Sequence, residues 1–261
     1  MRTVEKALKI LDLFTVGRPE AGLSDLARQA GLDKATTLRM LSSLARQGFV
    51  EQHPETKKYR LGKAVLRFAR IRETSFPVLS MIQPALDRLA EETGETAHAS
   101  LASGAELITV GIAVPQRATR VHLEFSEPLP FHATASGLAY LAFSPSELVD
   151  ELIGNRPLSV YTEHTKASAD DVRQDLAEIR ARGWAASANS YEIDVVGIAA
   201  PIFDWSGSAY GAIAVAILAA RATPELQEKV TAAVLGAAID VTRAMGAEPD
   251  PALIKARRSL T

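Results

Sequence analysis

Ala27 stands four residues before Gly31, with an amphipathic segment on either side, and no other feature constrains this chain as tightly. A small residue lets two helices cross closely, and a glycine turns the chain sharply between them. Ser24 is placed to cap a helix over Asp25–Ala30, because a hydroxyl accepts an orphan backbone N–H. Gly31 ends that helix, Leu32 reaches toward the core, and Asp33 caps a third helix from Lys34 to Arg46. Ahead of them, Val4, Ala7, Leu8, Leu11 and Phe14 recur at helical spacing until the Gly17–Gly22 stretch breaks the chain.

The third helix has two unlike faces. Thr37, Met40, Leu41 and Leu44 line the inner one. Lys34, Ala35, Thr36, Leu38, Arg39, Ser42 and Ser43 form an outer face that is short, polar and basic, as a helix entering a major groove must be. Gly48 stops the helix, a strand over Phe49–Gln52 turns at His53–Thr56, and Lys57–Leu61 returns. That hairpin is a wing, and it carries Lys57, Lys58 and Arg60 where phosphates would lie. Three helices and a hairpin with solvated charges would give a similar pattern without binding DNA; the agreement of motif, wing and charge argues against that reading. Residues 1–62 hold 11 Lys/Arg against 7 Asp/Glu, whereas the rest hold 18 against 24. A basic head on an acidic body suits a nucleic-acid binder with a separate control domain.

Composition removes other classes. Without cysteine there are no disulfides, zinc fingers or thiolate nucleophiles. No apolar run reaches the roughly 18 residues of a membrane span, and the longest, Ala209–Ala220, reads as a buried strand. The N-terminus lacks a signal-peptide pattern, so the expected location is the cytoplasm.

The body of the chain alternates strands and helices. A helix rich in Lys63, Arg67, Arg70 and Arg72 runs over 63–76 as a linker, and a second, carrying Val78, Ile82, Leu86 and Leu89, ends near Gly94. Strands are expected at Thr96–Ala102, Leu107–Val114, Arg120–Phe125, Trp184–Ser187, Val195–Phe203 and Tyr210–Leu218. Helices are expected at Thr134–Ala142, Pro145–Ile153, Ala169–Arg182 and Pro224–Gly246. Residues 248–261, with two prolines and several basic residues, read as a flexible tail. Together these give an α+β chain with a winged helix-turn-helix at 1–62, a linker helix at 63–76 and a larger domain at 77–247.

The run TVEKALKILDLF, then LSDLARQAGLDKATTLRMLSSLARQGFVEQHPETKKYRLG, closely resembles the DNA-binding domain of IclR-type bacterial regulators. PLPFHATASGLAYLA and VVGIAAPIFDWSGSAYGAIAVA continue the likeness, which spans about residues 3–247. The resemblance implies a GAF-like antiparallel sheet in the larger domain, a double-stranded DNA operator, homodimers that pair further into tetramers, and a small-molecule effector. Lys34-Ala35-Thr36 and Arg39 match the start of the family's recognition helix, while Leu38 replaces a usual His or Tyr. That leucine either meets a thymine methyl or packs on its helix neighbours.

The resemblance also implies an effector site between the sheet and the segment Phe131–Ala142. Carried over, its residues are Val121, Leu129, Ala135 and Ser136, then Val195, Gly197, Ala214 and Ala216. Backbone N–H groups at the start of the Thr134–Ala142 helix suit a carboxylate. Ala214 and Ala216 stand where members that take small hydrophilic acids have serines. They either widen the pocket toward a larger, aromatic carboxylate or are ordinary close-packed alanines.

His98, His122 and His132 lie on or beside expected strands, but no ligand spacing joins them, so hydrogen-bonded structural roles are expected and no metal or other cofactor. Thr134-Ala135-Ser136-Gly137-Leu138 is not a nucleophile elbow, and phosphate-loop, dinucleotide and zinc-hydrolase motifs are missing, which speaks against a hydrolase or any other enzyme. The remaining alternative is a DNA-binding protein whose second domain only oligomerises.

Overall fold

Ile10 and Phe14, rather than Val4 and Leu8, bury the first helix. α1 spans Thr3–Leu11, and Val4 and Leu8 are 68% and 53% exposed. The apolar stripe of this helix is wider than a three-helix core can cover, and the side bearing Ile10 faces inward. α2 (Leu23–Ala30) and α3 (Lys34–Arg46) follow, with Gly31 left-handed at φ 68° between them. The expected cap at Ser24 is corrected: α2 starts two residues earlier, with Gly22 as its N-cap and no side-chain cap. The cause is a short strand, β1 (Glu20–Ala21), which delivers the chain straight into the helix. β1 joins β2 (Val50–Gln52) and β3 (Tyr59–Leu61) in an antiparallel sheet of order β1-β3-β2. Ala21, Leu26, Ala30, Met40, Leu41, Val50 and Tyr59 close this core with Ile10 and Phe14. α4 (Lys63–Ser75) leaves the wing at Gly62, where a Cβ would meet the Gly48 carbonyl oxygen at 2.3 Å.

The computed structural model describes residues 3–125, 128–154 and 157–260, and divides into a unit of residues 1–77 and another of 78–261. The second unit is built on one antiparallel sheet. Its strands are β4 (Thr96–Ser103), β5 (Glu106–Ala113), β6 (Ala185–Ala188), β7 (Val195–Phe203) and β8 (Ala209–Leu218), in the order β5-β4-β8-β7-β6. α5 (Val78–Thr93) and α9 (Pro224–Ala244) cover one side, and α6 (Ala135–Ala142) and α8 (Ala169–Arg182) lie on the other. A Cβ on Gly111 would meet Leu86 of α5 at 2.8 Å, and one on Gly197 would meet Ala135 of α6 at 3.2 Å, which assigns the two sides. α7 (Ser146–Ile153) links α6 to α8 through residues whose Val149, Leu152 and Ile153 are buried.

Two expectations fail here. Arg120–Phe125 is not a strand. Both edges of β4 are already taken, the Val121 carbonyl is held by the Thr96 hydroxyl at 2.8 Å, and among the described residues the outer edge of β5 meets a single bridge at Leu129. Residues 248–260 are not loose either; Thr261 lies outside the described residues. Asp250 caps α10 (Pro251–Ser259), accepting from the Ala252 N–H at 2.8 Å, and Leu253 is fully buried against the domain. Arg257 donates to the Ala232 carbonyl of α9 at 2.9 Å. A buried carboxylate ties the far end of the sheet: Glu95, 0% exposed, receives Nε and Nη2 of Arg221, both at 2.6 Å.

Candidate functional site

Two sites result, one in each unit. In the first, Asp33 sets the roll of α3. Its Oδ1 accepts from the Thr36 N–H at 2.7 Å, and that hydrogen bond holds its carboxyl below the usual value. The buried Thr37 donates its hydroxyl to the Asp33 carbonyl at 2.9 Å, and Met40 and Leu41 follow it inward. The opposite face is thereby fixed. Lys34, Ala35, Leu38, Arg39 and Ser42 are exposed, and Thr36 and Ser43 are half-buried. Leu38 is 44% exposed, so it stands on the outer face instead of packing inward. In the wing, Lys57 is left-handed at φ 57°, and the His53 N–H donates to the Lys58 carbonyl at 2.8 Å. Lys57 and Lys58 are exposed. Arg60 is different: its guanidinium meets Glu51 at 2.8 Å and Glu20 at 3.8 Å across the sheet. Its charge is therefore largely compensated, and a phosphate would have to compete for it.

The second site follows from strand register. Gly197 pairs with Ala216 and Ser187, Ala216 with Thr96, and Ala214 with His98. Residues directly opposite one another share a face, so these side chains all point toward α6. Three of them are no larger than a methyl group. The missing volume leaves a cavity of about 520 Å³, open mouth included, under the start of α6. Val121, Leu129, Ala135, Ser136, Val195, Gly197, Ala214 and Ala216 all line it, so the eight residues expected to meet there do meet. His98, Thr134, Ser187, Tyr191 and Glu192 line it as well.

The helix start offers fewer donors than its sequence implies. The Gly137 N–H goes to the Thr134 hydroxyl and the Ala135 N–H to the Ser187 hydroxyl, each at 3.1 Å. Gly137 itself is pinned, since a Cβ there would lie 2.3 Å from the Phe131 carbonyl oxygen. His98 is buried, with Nε2 at 3.2 Å from Ser136 Oγ, and burial holds its imidazole down at about 4. His132 serves the loop outside, Nε2 lying 2.9 Å from the Ser159 carbonyl, whereas the exposed His122 lies in the segment after Val121. Among the described residues no cluster of three His, Cys, Asp or Glu side chains is placed to hold a metal ion, and no helix is long and apolar enough to cross a membrane.

Comparison with known proteins decides the family. Residues 3–54 match the IclR helix-turn-helix domain, and residues 73–243 match the bacterial transcriptional regulator IclR C-terminal family. The chain belongs to the IclR family. IclR-type relatives include the transcriptional repressor IclR of Escherichia coli K12, 30% identical over 94% of this chain and 90% of that protein. The glycerol operon regulatory protein of Streptomyces griseus is 32% identical over 95% and 97%. An IclR transcriptional regulator from Silicibacter sp. TM1040 superimposes with a TM-score of 0.89 at 41% identity, covering 96% of this chain and 99% of that one. The IclR relatives are DNA-binding transcriptional regulators and not enzymes, and this chain is a DNA-binding transcriptional regulator of that family.

Proposed function

We propose that this regulator binds a pseudo-palindromic operator as a homodimer, or as a pair of such dimers, and that a carboxylate with an aromatic-sized body sets its operator affinity. Lys34, Thr36, Arg39 and Ser42 face the groove, helped by Ala35, Leu38 and Ser43 as apolar or close-approach contacts, with Lys57 and Lys58 on phosphates. Two-fold symmetry presents two such helices to successive major grooves. The exposed Leu66 and Ile71 of α4 and Val4 and Leu8 of α1 give a second copy apolar surface to cover. Repression is the sense in which the Escherichia coli relative is named, and it is the sense proposed here.

The observation that carries the effector reading is the cavity itself. Its lining is mostly apolar with a few convergent hydroxyls, the make-up of a small-molecule site. Its floor of Gly197, Ala214 and Ala216 supplies no hydroxyls, so a small hydrated acid would lose partners there while a ring gains contact. The Ser136 N–H and the α6 dipole favour a carboxylate at the cavity's end. Differential affinity for two arrangements of the protein is what would move the operator equilibrium.

Thermal melting of the purified protein against pyruvate, glyoxylate, benzoate and 4-hydroxybenzoate tests this. The last is the compound held by an IclR homolog from Microbacterium hydrocarbonoxydans. A ligand at about one hundred times its Kd adds about 2.7 kcal/mol to the folded state and raises the melting temperature. The aromatic acids should raise it and change operator affinity, and the smaller acids should do so less. No shift with any of them would favour a second domain that only oligomerises.

A further inference from the structure

Nδ1 of His98 is, among the described residues, the one buried side-chain polar atom without a hydrogen-bond partner. Such atoms are rare because each forfeits its hydration, and a ring lining a cavity invites an occupant that completes it. His98 is 6% exposed and sits on the cavity floor in register with Ala214 of β8 and Ile112 of β5. Ser136 of α6 lines the cavity beside the cap residue Thr134, whose hydroxyl is engaged by the Pro130 carbonyl and the Gly137 N–H, and Ser187, Ser190, Tyr191 and Glu192 line it too. No lysine or arginine is among these residues. An ionised carboxylate therefore meets helix-terminal dipoles and hydroxyls but no standing positive charge.

We propose that His98 supplies that charge on demand: a carboxylate enters together with one proton from solvent, the proton settles on His98, and the imidazolium donates from Nδ1 to the carboxylate and from Nε2 to Ser136 Oγ. The inference rests on the effector reading above and names the chemistry by which that site holds an acid. In the empty cavity burial keeps the ring neutral near pH 7, with its value at about 4. An anion against Nδ1 favours the charged form and raises that value. Between the empty and the occupied values, each ligand takes up one proton, and affinity falls about tenfold for each unit of rising pH. The other ionisable side chains lining the cavity are the half-buried Tyr191 and the exposed Glu192.

Isothermal titration of the full chain with benzoate and 4-hydroxybenzoate, in phosphate and in Tris at one pH, reads the proton directly from the difference in heat. The expected result is about one proton taken up per site and a roughly tenfold weaker Kd at pH 7.5 than at pH 6.5. His98→Gln should abolish the uptake, and Glu192→Gln should retain it. Binding without uptake would overturn the proposal and leave the effector cavity standing. Uptake that survives in His98→Gln would mean the acid enters neutral, and uptake lost only in Glu192→Gln would move the proton there; either overturns it. Binding of neither acid would remove the acid-binding reading and this proposal together. Imidazole nitrogen spectra of the wild-type protein decide the matter even if His98→Gln does not fold. Ligand should convert one buried ring from the neutral to the doubly protonated pattern, and an unchanged ring refutes the proposal.

Discussion

Arg39 shows how little of a recognition surface a single residue must share with the core. Its side chain leaves α3 on the face opposite Thr37 and Met40, and those two buried residues, not Arg39, hold the helix in place. Arg39→Ala should therefore weaken specific operator binding by roughly 1–3 kcal/mol, measured by titration at fixed salt, and leave the melting temperature unchanged. Operator binding at wild-type strength would mean that another face of α3 meets the bases. This face was readable in the sequence because one periodicity divided inner from outer residues, and Asp33 marked where the helix starts. His98 was readable only as a histidine on a strand. Its meeting with Ser136 depends on which strand lies beside β4 and in what register, and alternation along a single strand holds neither fact.

At the scale of elements, local signals and tertiary demands parted in two places. The alternation of Val121, Leu123 and Phe125 suggests a strand, yet the Thr96 hydroxyl takes the Val121 carbonyl and the stretch runs along the cavity instead of pairing with an edge strand. The alternation survives only in part: Val121 and Leu123 line the cavity, whereas Phe125 is 49% exposed. α10 is the converse. Prolines and basic residues disguise it as a tail, although Asp250 followed by Pro251 is a sound helix start. Its anchor is Leu253, which becomes apparent only once α8 and α9 are in place to receive it. Leu253→Ala should destabilise the protein by about 2–5 kcal/mol in urea unfolding, the usual cost of emptying a buried leucine site. A loose tail would tolerate the change with no measurable loss.

For the molecule as a whole, reading and responding are separable tasks, and a change in the cavity should touch one alone. Ala216→Leu places three extra carbons into the space beneath α6, where the cavity absorbs most of the roughly 1–3 kcal/mol that overpacking costs in a filled core. The variant should bind operator within about twofold of wild type and show no melting shift with 4-hydroxybenzoate. A retained shift would put the acid elsewhere in the domain.

The cavity's walls explain why such a change is affordable at all. Ser190, Tyr191 and Glu192, between β6 and β7, close one side of the hollow. The room itself exists because Gly197, Ala214 and Ala216 decline to fill the space between the sheet and α6. A mould of that kind can be recut by adding or deleting a methyl group at one position, with the backbone left as it was. Lineages carrying this scaffold can thus acquire a taste for a new molecule in single mutational steps, each leaving behind a protein that still folds and still finds its operator.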